Sequence, residues 1–84
     1  MDQEIIVEPK KGDLVHVLWE DSTTTHGWSE EEDVECITCE SVGWLITNGP
    51  NRIVLAADIA GNGDKEYNRK MVIPKSVIKE IRKL

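Results

Sequence analysis

The chain has no phenylalanine, one tyrosine, two cysteines and three prolines in 84 residues. Two cysteines are too few for the disulfide framework of a small secreted scaffold. Cys36 and Cys39, in ECITCE, fall on opposite faces of a strand, a spacing that excludes a mutual disulfide. With His16 and His26 they compose a two-Cys, two-His set on paper. The Ile-Thr between them reads as strand and not as the Gly- or Pro-bearing turn of a zinc knuckle, so packing as small apolar side chains is the expectation and no metal is assigned. No apolar stretch approaches the 18–20 or so residues that cross a bilayer. The opening MDQEIIVEPKKGD is acidic and lacks a basic-then-apolar leader pattern, which leads to the expectation of a cytoplasmic protein. A phosphate-cradling glycine loop, a nucleophile elbow and a metalloprotease helix are all missing, so no catalytic residue is assigned.

What is present is a globular balance, 39% apolar and 31% charged residues with a net charge of −6. That charge argues against general nucleic-acid binding, which needs a basic surface. The charge is uneven. Residues 1–68 carry 15 acidic and 4 basic side chains, a balance of −11, and residues 69–84 carry 1 acidic and 6 basic, a balance of +5. Either the two ends attract each other, or Arg69, Lys70 and Lys75 form a local anion site.

The pattern predicts an arm over 1–12 and one small β domain over 13–84. Leu14 to Glu20 alternates as a strand, with Val15, Val17 and Trp19 on one face and His16 on the other with Leu14 and Leu18. DSTTTHGWSEEED, 21–33, is a long polar loop. A second strand is expected over about 34–47, interrupted by Gly43, where a glycine signals a bulge or the close approach of another backbone or a ligand. Asn48–Asn51 is a turn, 52–59 a third strand, 60–68 a Gly- and Asn-rich loop, and 70–74 a short fourth strand ended by Pro74. KSV then allows one helical turn before a closing strand, with a C-terminal helix over 75–84 as the competing assignment. This order is similar to that of Src-homology-3-like barrels and, less closely, Sm-like barrels: a mainly β, five-stranded barrel with one short helical turn before the last strand.

The candidate ligand-binding residues follow from the aromatic inventory. Tryptophan combines a broad apolar face with a polar N–H and serves cores and binding platforms alike. Trp28, after Gly27 in the polar loop, has little core to join and is the strongest contact candidate. Trp19 is expected to be half core and half site. Trp44, sharing a face with Val42 and Ile46, is expected to pack mainly in the core. Beside them, Asp21 can accept hydrogen bonds from a base or ribose, Ser22, Thr23 and Ser41 can donate to phosphate oxygens, His26 adds a loop imidazole, and Arg69 can pair with phosphate. An indole beside such groups suits a planar, polar ligand. For each residue alone, a structural role such as loop capping by Asp21-Ser22 remains an equal alternative.

The elements VHVLWEDS (15–22), Gly27-Trp28, SVGWLI (41–46), IVLA (53–56) and MVIP (71–74) resemble a group of short proteins encoded by bacteriophages and prophages, with the pattern V-x-V-x-W-x-D-S, G-W, S-V-G-W, I-P. The resemblance covers most of the chain from about residue 13, and the arm and the 60–68 loop fall outside it. It implies a non-enzymatic homo-oligomer in the host cytoplasm that sequesters a cyclic nucleotide immune signal, with no cofactor. The alternative is a protein-interaction module that grips a host or phage protein through its Trp and acidic loop surface.

Overall fold

The computed structural model describes residues 8–21 and 36–84. Ser22, Thr23, His26 and Trp28 lie outside the described residues, as do the first seven residues of the arm and the start expected for the second strand. Five strands follow one another: β1 Leu14–Asp21, β2 Ile37–Asn48, β3 Arg52–Ala60, β4 Glu66–Pro74 and β5 Ile78–Lys83. All pair antiparallel in a single sheet of order β4-β3-β2-β1-β5. A 3-10 turn over Lys75–Val77 joins β4 to β5, as the KSV triplet suggested, and the competing C-terminal helix does not form. Pro74 supplies the extended residue before the turn, and the backbone N–H of Lys75 donates to the Asn51 carbonyl at 2.9 Å, tying the turn to the β2–β3 connection.

The core is one face of this sheet. Val15, Val17, Leu45, Ile53, Leu55 and Ile73 are buried there, with Trp19, Val77, Ile78 and Ile81 packed against them. The pleat makes this inevitable for β1, where Val15, Val17 and Trp19 recur at period two. Across the sheet, Val17 faces Ile81, Leu45 faces Leu55 and Ile53 faces Ile73. Residues just before β1 are pinned to the same place. Gly12 N–H donates to the Leu45 carbonyl at 2.7 Å, and Leu45 N–H donates to the Asp13 carbonyl at 2.8 Å.

The expected core role of Trp44 is overturned. Leu45 points inward with Gly43, so the alternation puts Trp44 on the opposite face. There it is half-buried, beside Val42, which is 58% exposed. SVGWLI is apolar on both faces of a strand, and only the pairing partners reveal which face is covered.

β4 begins four residues earlier than its apolar pattern suggested. Glu66 to Asn68 carry no strand alternation, yet they pair with Ala60 to Asp58, so β3 fixes them. The shortened loop runs 61–65. The charge asymmetry resolves largely within the fold. Lys79 reaches Glu20 at 3.0 Å and Lys83 reaches Asp13 at 3.6 Å, so the basic tail flanks acidic groups of β1 and its approach. These pairs are exposed and stabilise little.

Gly43 marks the tightest backbone approach in β2. A Cβ there would lie 2.9 Å from the Ala56 carbonyl oxygen and 3.1 Å from Leu55 Cβ. Gly43→Ala is therefore expected to push β2 off β3 and destabilise the protein by about 1–3 kcal/mol, read from the urea midpoint. A wild-type midpoint for this variant would mean the strands separate freely here.

Candidate functional site: the cleft where two strands part

β2 pairs with β3 only from Trp44, opposite Ala56, to Asn48, opposite Ile53. Before Gly43, β2 stays with β1 alone; beyond Ala56, β3 stays with β4 alone. The strands part at the Gly43–Ala56 contact, and a cleft of about 240 Å³ opens between them. Ser41 and Val42 line one side, Leu55 and Ala57 the other, and Arg69 and Met71 reach in from β4. The volume is smaller than that of drug-sized ligand sites, which run about 300–1,000 Å³, so the cleft is sized for one group of a ligand.

Trp19 stands beside this cleft. The β1–β5 register shifts between Leu18 and Trp19, a bulge that re-aims the strand near its end. The indole packs on the core edge while its Nε1–H donates to Ser41 Oγ at 3.0 Å. Ser41 Oγ in turn donates toward Met71 Sδ at 3.8 Å. A thioether is a weak acceptor, so the serine proton is available to a better one. Trp19→Phe keeps the apolar body and removes the N–H. It is expected to cost about 0.5–1.5 kcal/mol of stability, measured by thermal melting, through the lost bond to Ser41.

Arg69 enters from β4 in an unusual conformation. Its φ of 52° is the one positive value at a non-glycine residue among the described residues. The guanidinium forks onto Asp58, Nε–H to Oδ2 at 2.7 Å and Nη2–H to Oδ1 at 2.8 Å. This hydrogen bonding, with the guanidinium's charge, holds the Asp58 carboxyl below the usual carboxylate range, and the same contact raises Arg69. Two of the five guanidinium N–H groups are thus committed and the rest remain to donate elsewhere.

Of the sequence-derived candidates, the structure brings together Trp19, Ser41 and Arg69. Asp21 is exposed at the end of β1, opposite Ile37, and Trp44 faces the other side of the sheet. The proposed cationic trio does not converge. Lys75 lines a separate hollow floored by Ile53, Ile78 and Ile81, and Lys70, between the lining residues Arg69 and Met71, does not itself line the cleft. Cys36 is exposed and Cys39 half-buried, both as free thiols. Among the described residues no cluster of His, Cys, Asp and Glu could hold a metal ion. His16 is engaged elsewhere, its Nε2 3.0 Å from Glu40 Oε1 and its Nδ1 3.4 Å from Arg82 Nη2. The Glu40 carboxylate can only accept and the Arg82 guanidinium only donate, which puts the donating ring nitrogen at Nε2 and the accepting one at Nδ1.

Asp58 and Met71 are the participants that sequence reasoning missed. Asp58 left a trace, a lone carboxylate in the otherwise apolar run IVLAADIA. Met71 left none, since MVIP reads as core. No family model matches the chain, and no curated protein and no solved structure matches it either.

Proposed function

We propose that the protein is a non-catalytic binder of a planar, oxyanion-bearing ligand of the nucleotide class, held in the cleft between β2 and β3. The observation that carries this reading is that Ser41 and Arg69 line the same cleft, with the Trp19 indole hydrogen-bonded to Ser41 beside it. The hydroxyl and guanidinium offer donors to acceptor-rich groups such as phosphate, and the Asp58 oxygens are already occupied. Val42, Leu55 and Ala57 supply the apolar part.

In its most specific form, the protein is a bacteriophage-type homo-oligomer that sequesters a host cyclic nucleotide immune signal in the cytoplasm. The sheet is then a small Src-homology-3-like barrel. The five antiparallel strands and the 3-10 turn before β5 support that reading.

Titration calorimetry against cyclic di- and trinucleotides, with native mass spectrometry of the mixtures, tests the proposal. A fixed oligomer that retains ligand stoichiometrically and releases it chemically intact is the expected result. Failure of every nucleotide to bind would overturn it, and linear products on release would make the protein an enzyme.

The second reading, a protein-interaction module, draws on the other face of the sheet. Val42 and Val72 are 58% and 57% exposed there, with Trp44 between their strands' partners. On that reading Val72→Lys abolishes partner binding, whereas a nucleotide site in the cleft, which Val72 does not line, survives the change.

A further inference from the structure

Resting on the reading of the cleft as a nucleotide site, we infer that Met71 is a modification site, and that its oxidation to the sulfoxide draws the Ser41 hydroxyl away from the ligand. Met71 is 37% exposed and lines the cleft with Ser41, so a peroxide in solution reaches it. Its Sδ lies 3.8 Å from Ser41 Oγ, and Ser41 Oγ accepts from the Trp19 indole N–H at 3.0 Å. The three groups form a chain, indole N–H to hydroxyl and hydroxyl to thioether. Among the described residues the thioether is the acceptor that the Ser41 hydroxyl finds, and it is a weak one. The serine donor is therefore free for a ligand only as long as the sulfur stays reduced.

Oxidation requires a peroxide and nothing else. The sulfur lone pair attacks one peroxide oxygen, the O–O bond breaks, and the released hydroxide takes the proton of the transferred oxygen and leaves as water. Sulfur loses two electrons and the peroxide gains them. The new S–O oxygen is a polar acceptor in place of an apolar thioether. Carried by a sulfur already beside Ser41, it captures the hydroxyl proton. The ligand oxyanion then loses that donor, and it meets the negative end of the S–O dipole in a cleft of only about 240 Å³. The polarised hydroxyl also accepts more strongly from the Trp19 N–H, because hydrogen bonds in a chain reinforce one another. Methionine sulfoxide reductase reverses the change, so the device resets.

The test treats wild type, Met71→Leu and Ser41→Ala with dilute hydrogen peroxide and locates the added oxygen by peptide mass. The other methionine, Met1, and both cysteines remain in each variant and serve as internal controls. Oxidised wild type should show the Trp19 indole N–H resonance moved downfield. Its affinity for cyclic dinucleotides should fall about two- to tenfold, the loss of one neutral hydrogen bond, and the reductase should restore both. Met71→Leu should show neither change. In Ser41→Ala the sulfur is still oxidised, yet the indole resonance should stay where it was before treatment. An unmoved indole resonance in oxidised wild type, or the same shift in Met71→Leu, overturns the inference. So does an equal affinity loss in Ser41→Ala, since the sulfoxide then acts by bulk alone. If wild type binds no nucleotide before treatment while the indole resonance still responds to Met71 oxidation, the device stands and the nucleotide reading falls.

Discussion

Leu45→Ala is expected to destabilise the protein by about 2–5 kcal/mol, the full range for a buried leucine whose cavity cannot collapse. Leu45 has no exposed surface. It faces Leu55 across the β2–β3 pair, and its own N–H and C=O fasten Asp13 and Gly12 to the sheet. The register shifts between Leu45 and Thr47, so the side chain sits where β2 changes its relation to β3. Backbone bonds on both sides hold the wall rigid, and the wall cannot move into the vacated space. A chain of this length has a total stability of only about 4–13 kcal/mol. The substitution thus removes a large share, and the melting temperature should fall by roughly 4–8 °C per kcal/mol. The urea midpoint should drop with little change in slope. Trp44→Ala is the informative contrast. It deletes a larger side chain from a half-buried position on the other face, and should cost less than Leu45→Ala. An equal or greater cost would mean that Trp44 is packed more fully than its half-buried position indicates.

That contrast shows where sequence reasoning succeeds and where it stops. Val15, Val17 and Trp19 alternate with His16 between them, and a polar residue on one face was enough to orient β1. The KSV turn and the final strand were legible because Pro74 closes β4 and three residues allow only one turn. β2 was not legible in the same way, since Val42, Trp44 and Ile46 are as apolar as Leu45. The face that is covered is chosen by the partner strands, and period-two counting carries no information about partners. The early part of β4 was hidden for a related reason: Glu66 to Asn68 have no apolar alternation and are strand because β3 extends to meet them.

The cleft was partly legible. Gly43 announced a close approach, and the Ala56 carbonyl is what approaches. Trp19, Ser41 and Arg69 were singled out by chemistry. Their convergence depends on where the β2–β3 ladder ends, which is a tertiary fact. Asp58 escaped because its importance lies in neutralising a residue eleven positions away, a relation that only the β3–β4 register creates.

On the proposal that the cleft binds a nucleotide, Arg69→Ala should weaken that binding by about 10- to 100-fold, the usual loss when one charge-assisted donor is removed. Its effect on stability should be small, because the Asp58 pair is open to solvent. Two companion variants separate the causes. Arg69→Lys retains a positive charge and discards the planar fork, so it should recover only part of the affinity if paired hydrogen bonding matters. Arg69→Gly accommodates the 52° φ without steric cost and so distinguishes loss of the guanidinium from strain at the backbone. Should Arg69→Gly and Arg69→Ala bind equally poorly, the guanidinium is the cause. The same variants predict the behaviour of Asp58. In wild type its carboxyl is held low by Arg69, so whatever the pair contributes is present above the ordinary carboxylate value and is lost only as pH falls through the depressed one. Without the guanidinium, the Asp58 carboxyl should titrate back in the ordinary range, which carboxyl-carbon NMR resolves directly. An Asp58 titration unmoved by Arg69→Ala would mean that the fork between the two side chains does not persist in solution.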